Sequence, residues 1–390
     1  MVIGNIIANL ASMILSARYE AGRRLAIPTA KDRPSRYDRA DWPKGIVSGV
    51  LDAMAGAGWI VRHPSVLRQR QTTIEPSRTF HQVVQHCGVT RGDIGRLPGG
   101  ETIWLMARTG EDGFADQPAP KERQDYSETP DSRRYRGEME RINAHLNAAS
   151  ITFAGEHQGP IFLRRSFMLR HPDEPQPRRS PSRTFRLNGR LVSGFWENLS
   201  SKDRYQLRID GQEVADLDFS AMFINLSYIR KALPLPDPAT AYRIPGLEEH
   251  RDGAKAGLLS LLSRRGPMKQ LSAELKGLLP DGWTARQFTH AATAHHADIA
   301  DLFGADRGVE FMFAESQILV ALLLRLNAAG ITALPLHDGI MLAVSHKENA
   351  LAAMVEVSLH VVGTALPARE KAITRPAASR DSNGHQPIDK

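Results

Sequence analysis

Two β-prone runs, Leu334–His337 and Gly339–Val344, meet at a single acid, Asp338. A second pair, Gln206–Ile209 and Val214–Phe219, is divided at Gly211 and reads as a hairpin whose later strand carries Asp218. Around them lie longer segments with helical spacing, at 221–232, 251–263, 286–303, 309–329 and 347–361. The Pro-rich stretch 234–245 reads as a loop. Short strands interleaved with helices of this length predict an α+β domain over about 186–365.

The rest of the chain is less regular. Ile3, Ile6, Ile7, Leu10, Met13 and Ile14 recur at helical spacing, which predicts an amphipathic docking helix rather than a leader. Ile46, Val47, Val50, Leu51 and Met54 form another apolar helical face, followed by Gly58 and the β-prone Trp59-Ile60-Val61. Arg62, Arg68, Arg70 and Arg78 then surround a short strand at Thr72-Thr73-Ile74. That order of helix, strand, basic loop and strand predicts a small winged-helix-like domain over 1–110, able to dock DNA through its basic loop. A helical cap with a solvated arginine face is the alternative. Residues 111–136 have linker composition, and Tyr135, Met139, Ile142 and Leu146 then mark a helix. The Pro-rich stretch His171–Arg183 reads as a second loop. The division expected is therefore 1–110, 111–185, 186–365 and a disordered tail at 366–390.

Composition narrows the function. The formal charge of +7 and pI near 9.6 favour anionic partners, nucleic acid foremost. The single cysteine, Cys87, excludes an internal disulfide and a Cys-clustered zinc site, and points to a reducing compartment. No stretch approaches the roughly 20 apolar residues that span a bilayer, so a cytoplasmic protein without membrane association is expected. No glycine-rich phosphate loop is present, which argues against an ATP-driven motor.

Three segments of the last zone carry chemistry. Ala215-Asp216-Leu217-Asp218-Phe219-Ser220 ends a strand on an acid. Arg251 and Lys255, four apart, put two cations on one helical face. Leu336-His337-Asp338-Gly339 places an acid at a bend between strands. Nucleotidyl transfer needs two divalent ions roughly 3.5–4 Å apart, held by carboxylates from separate strands. It also needs a cation for the triphosphate. Taken singly, each segment has a structural explanation: a turn-bonding acid, a solvated helix face, a hairpin residue. Their joint order favours the catalytic one.

These segments resemble the motifs of family A DNA polymerases. Asp218-Phe219-Ser220 resembles the Asp-Tyr-Ser that opens motif A, Arg251-x3-Lys255 the Arg-x3-Lys of motif B, and Pro335-Leu336-His337-Asp338 the hydrophobic-His-Asp of motif C. Upstream, Asn188-Gly189-Arg190-Leu191-Val192-Ser193 is similar to the family's Thr-Gly-Arg-Leu-Ser-Ser element. The chain also resembles a group of bacterial proteins, often carried by mobile elements, that share the Arg-Leu…Gly-Phe-Trp, Asp-Phe-Ser and His-Asp elements. The likeness covers roughly 186–345 and not residues 1–180.

The resemblance implies a polymerase-like palm with an antiparallel sheet, short helical fingers and a thumb-like helix in 111–185. It implies that Asp218 and Asp338 ligate Mg2+ or Mn2+, and that Lys255 and Arg251 bind the triphosphate. It further implies that His337 lies by the primer terminus and Arg190 against the DNA primer–template. Deoxynucleoside triphosphates would be the other partner. Departures are specific: the family's motif A Glu falls on Phe223, its motif B Tyr and Phe on Ser263 and Leu259, and the acid after His-Asp on Gly339. Bulk at Phe223 would crowd a 2′-hydroxyl and favour dNTPs.

Other residues have weaker claims. Trp196 is placed either to stack on a base or to pack in the core. Glu315 and Gln317 open an apolar helix, where capping or a template path could explain them. His295, His296, Asp298 and Asp301 read as solvated decoration before a metal site. The expected function is a template-directed DNA polymerase or primase-polymerase. Its rivals are a catalytically degenerate DNA-binding replication or regulatory protein and, less well supported, a metal phosphohydrolase built on His337-Asp338.

Overall fold

The computed structural model describes residues 1–16, 19–29, 35–39, 42–66, 70–95, 100–108, 121–169 and 185–374. Arg68, the loop His171–Arg183, the segment 111–120 and the tail from 375 lie outside the described residues.

Apolar periodicity in the first zone is satisfied locally. Helices α1 (Val2–Ile14), α2 (Lys44–Gly56) and α3 (Arg78–His86) cover a three-stranded antiparallel sheet of β1 (Leu25–Ala26), β2 (Ile60–His63) and β3 (Thr73–Pro76), in the order β1-β3-β2. Val2, Ile6 and Leu10 of α1 join Val47, Leu51, Ile74 and Phe80 in one core. The docking helix thus docks on its own lobe. Ser77 caps α3 by accepting from Phe80 N at 3.1 Å. The basic loop is partly spoken for: the Arg62 guanidinium turns back to Asp52 and Ser48 of α2 rather than outward.

A second core runs from Ile103 to Leu366. Its scaffold includes a four-stranded sheet, β5-β4-β8-β9, made of β4 (Ile103–Arg108), β5 (Lys121–Arg123), β8 (Arg164–Met168) and β9 (Asn188–Val192). Among the described strands only β4 and β8 pair parallel. Helix α4 (Pro130–Ala148) buries Tyr135, Met139, Ile142 and Leu146 into this same core. The stretch 121–136 is therefore structured, contrary to its linker composition, because β5 and the start of α4 find partners that composition cannot register.

The largest sheet among the described residues is seven-stranded and antiparallel. It comprises β6 (Ile151–Phe153), β7 (Glu156–His157), β10 (Leu207–Ile209), β11 (Gln212–Phe219), β12 (Ala333–Leu336), β13 (Gly339–Ala343) and β14 (Ala368–Lys371). Strand β11 is its axis. It pairs with β13 over Val214–Asp218 on one edge, and with β10 and then β14 on the other. Packed with the sheet are α5 (Met222–Arg230), α6 (Arg251–Ser263), α7 (Ala273–Leu278), α8 (Ala285–His295), α9 (Gly308–Ala328) and α10 (Lys347–Val362). The fold is thus mixed α+β with largely antiparallel sheets. The tail expected to be disordered from 366 instead begins with β14, whose backbone completes the edge of β11. Its sequence, Ala-Arg-Glu-Lys, is half exposed and charged, so it lacks the apolar alternation of a strand.

Candidate active site

Pairing of β11 with β13 brings the two aspartates together. Asp218 stands opposite Gly339 in register, and Phe219 N donates to Asp338 O at 3.4 Å. Gly339 is obligatory for packing: a Cβ there would collide with the Leu217 carbonyl and lie 3.2 Å from the Asp218 Cα. The missing acid after His-Asp is thereby explained, since a side chain would force the strands apart. β12 and β13 are joined through His337 and Asp338 alone, with His337 at φ 55°. Trp196 is fully buried and donates from Nε1 to Pro335 O at 2.7 Å, fixing β12 just before this turn. It holds the hairpin and is not available to stack on a base.

Asp218 is only 4% exposed. Burial, followed by the charge of Asp338, holds its carboxyl well above the usual carboxylate range. Its Oδ2 is 2.7 Å from Lys371 Nζ of β14, while its Oδ1 is buried without a hydrogen-bond partner. Asp216, two residues earlier on the same face, pairs with Arg204 at 3.0 Å. Asp338 is half-buried and makes no ion pair among the described residues. A buried carboxylate oxygen with no donor, within hydrogen-bonding reach of a second carboxyl that makes no ion pair, is a donor set suited to a hard divalent cation. Among the described residues no group of three or more His, Cys, Asp or Glu forms a fuller cluster.

Arg190 and Glu315 lie beside this pair. Gly189, at φ +77°, lets β9 press against α9: a Cβ would sit 2.6 Å from Ser316 Oγ. The next residue, Arg190, then forms a bidentate pair with Glu315 at 2.8 and 2.9 Å. Glu315 is 2% exposed, eight positions into a well-formed helix, so it neither caps α9 nor faces solvent. Burial pushes its carboxyl up to about 7, partly opposed by Arg190 and reinforced by Asp338. The Arg190 guanidinium also lies 5.9 Å from the Phe223 ring, which packs on Phe311 at 5.8 Å. Beneath it, the fully buried Arg165 binds Glu138, Gly189 O, Ser316 and Gln317. Gln317 is thus a scaffold residue.

Glycines also shape the cationic helix. A Cβ on Gly253 would meet the Leu278 carbonyl at 2.5 Å, and one on Gly257 would strike the Phe288 ring. With that face packed, Arg251 and Lys255 lie on the more open side of α6. Arg251 sits over the Tyr242 ring at 5.1 Å. Burial and then the Asp338 charge push the Tyr242 hydroxyl up to about 12, partly opposed by Arg251. Lys255 is half-buried, and no salt bridge joins it to either aspartate. His337 is exposed, and its imidazole is held below the usual histidine range by desolvation and then by Arg190.

Sequence reading missed Lys371, Tyr242 and the role of Glu315. Lys371 and Tyr242 signalled only charge or aromaticity in segments without periodicity, and Glu315 was a lone acid on an otherwise legible apolar helix. Asp298 and Asp301 are exposed as expected, but His296 is not solvated: it is buried, with Nε2 on Ala241 O at 2.9 Å and Nδ1 on the Tyr228 hydroxyl at 3.2 Å. His295 reaches Thr240 O at 3.0 Å and Asp301 pairs with Lys231 at 2.9 Å, so the group staples a loop. No known family model matches this chain, and no curated protein matches its sequence. No helix among the described residues is long and apolar enough to cross a membrane.

Proposed function

We propose that this chain is a template-directed nucleotidyltransferase of DNA polymerase or primase-polymerase type, with a palm-like sheet, short helical fingers and a winged-helix-like N-terminal lobe. The observation that carries this reading is the convergence of Asp218 and Asp338 through the β11–β13 register, with the Asp218 Oδ1 left unpartnered. Asp218 and Asp338 fit as ligands of Mg2+ or Mn2+, which when bound supplies Lewis-acid stabilisation of attacking and leaving oxygens. Arg251 and Lys255 neutralise the triphosphate from α6. Arg190, oriented by Glu315, addresses the primer–template beside His337. Phe223, anchored on Phe311, crowds the sugar and selects dNTPs.

Primer extension on a defined template tests the reading. Incorporation that requires Mg2+ or Mn2+ and disappears in both Asp218→Ala and Asp338→Ala supports it. Faster use of NTPs than dNTPs by the native enzyme would overturn the sugar preference alone.

Two observations favour a second reading, a DNA-binding replication or regulatory protein with an inactive palm. Lys371 already neutralises Asp218, and the acid following Asp338 is absent. If the native protein never incorporates a nucleotide, and both alanine variants bind DNA as it does, that reading prevails.

A further inference from the structure

The strand that completes the sheet also delivers a cation into the acid pair. β14 runs antiparallel to β11 with Lys371 opposite Asp216 and Arg369 opposite Asp218. Alternation puts Asp216, Asp218, Arg369 and Lys371 on one face of the sheet. Asp216 is taken by Arg204, so Lys371 reaches diagonally to Asp218 and places Nζ 2.7 Å from Oδ2. A diagonal neighbour lies within reach of a side chain this long. The contact is one-sided: Oδ1 of the same carboxylate remains buried and unpartnered.

The acids of this patch are matched almost one for one. Asp216 has Arg204, Glu315 has Arg190 and Asp218 has Lys371, leaving Asp338. Of these cations Lys371 is the most exposed, its side chain 41% accessible against 20% for Arg204 and 30% for Arg190. An ammonium on a flexible stem at the protein surface holds its partner weakly. A divalent ion, carrying twice the charge and able to bind both Asp218 and Asp338, outcompetes it.

We propose that Lys371 is a built-in counter-cation of the acid pair, seated on Asp218 in the metal-free protein and displaced when a divalent ion binds. It keeps two facing carboxylates compatible with folding and raises the metal concentration at which the site loads. On displacement the ammonium needs only to swing into solvent, because β14 stays paired through its backbone. This inference rests on the nucleotidyltransferase reading to the extent that it requires the pair to bind divalent cations.

The test is Mn2+ binding to the full chain, followed by electron paramagnetic resonance or calorimetry without nucleotide or DNA. Lys371→Met keeps the stem and removes the charge, and is expected to tighten Mn2+ binding by about three- to tenfold. Lys371→Gln provides the same comparison if the methionine variant folds poorly by circular dichroism. Arg369→Met removes an equal charge from the same strand without an ion pair to Asp218, and is expected to change affinity less than about twofold. Asp218→Asn should abolish the tight site. Unchanged or weaker binding in both Lys371 variants overturns the counter-cation role and leaves the functional reading standing. An equal gain in Arg369→Met also overturns it, since the effect would then be a general field. Absence of Mn2+ binding in every variant, at millimolar concentration, sinks both the inference and the metal-dependent reading.

Discussion

The two cores of this chain treat charge in opposite ways. Among the described residues between Val2 and Val84 the buried ones are apolar, joined by one threonine, Thr72. Its ion pairs, such as Arg62 with Asp52 and Arg24 with Glu75, stay at the surface. The larger core buries Arg165, Asp216, Asp218, His296 and Glu315. Burying a charge costs far more than burying a methylene group, so a chain selected only to fold would not gather them. His296 is accounted for by a loop it holds. The others converge on the face where β9, β11, β13 and α9 meet, which is the pattern of a site rather than of a stabilising core.

The sharpest way to break this contrast is through the acid pair. Asp218→Ala and Asp338→Ala should each lower primer extension by more than about a thousandfold, as expected when a group bound to the reacting centre is lost. Arg70→Ala in the small lobe should leave turnover on saturating DNA unchanged and weaken only DNA affinity. Equal losses from the two regions would erase the distinction.

Stability should divide the same way. Arg165→Ala strands Glu138 and three further polar partners in the interior, and should cost about 3–5 kcal/mol in chemical denaturation. Arg62→Ala, on β2 and paired with Asp52 of α2 near the surface, should cost less than about 1 kcal/mol. Comparable values would mean that the large core does not depend on its buried charge.

Smaller than the Arg165 loss is a pH effect from Glu315. Its folded carboxyl keeps a proton up to about 7, whereas the unfolded group sheds it near the usual glutamate value. The stability this contributes is complete at low pH, and is lost as pH rises through about 7. Glu315→Gln should therefore stabilise the protein by about 1–3 kcal/mol at pH 8 relative to its effect near pH 4, read from thermal melts. A pH-independent difference would show that Arg190 compensates the buried charge fully.

The least effect is expected at the turn. His337 adopts φ 55°, a conformation that costs a side-chain-bearing residue about 1 kcal/mol. His337→Gly should raise stability by up to that amount while reducing primer extension. A gain in both would remove His337 from the site.

Much of the large lobe was legible in the sequence. Helix α6 spans the expected 251–263, and α9 and α10 fall within a residue of their expected bounds, because their apolar positions repeat every three to four residues. The two acids stood out for a different reason: an acid at a strand end is ordinary by itself, and only the order of the segments around Arg190, Asp218, Lys255 and Asp338 singled them out. Trp196 was not assignable, since an aromatic residue in a loop carries no sign of which way it faces.

The sequence by itself determined which residues carry charge, which segments could become helices and strands, and the order in which Arg190, Asp218, Lys255 and Asp338 occur. Tertiary structure decided what those charges meet. The pairing of β11 with β13 aimed two distant aspartates at each other, the glycine at 339 allowed the strands that close, and α9 turned Glu315 inward to hold Arg190. β14, unreadable as a strand, carried Lys371 onto Asp218. The reason is physical: periodicity reports a segment's own buried face, whereas strand register and side-chain pairing arise only when segments far apart in the chain share one sheet.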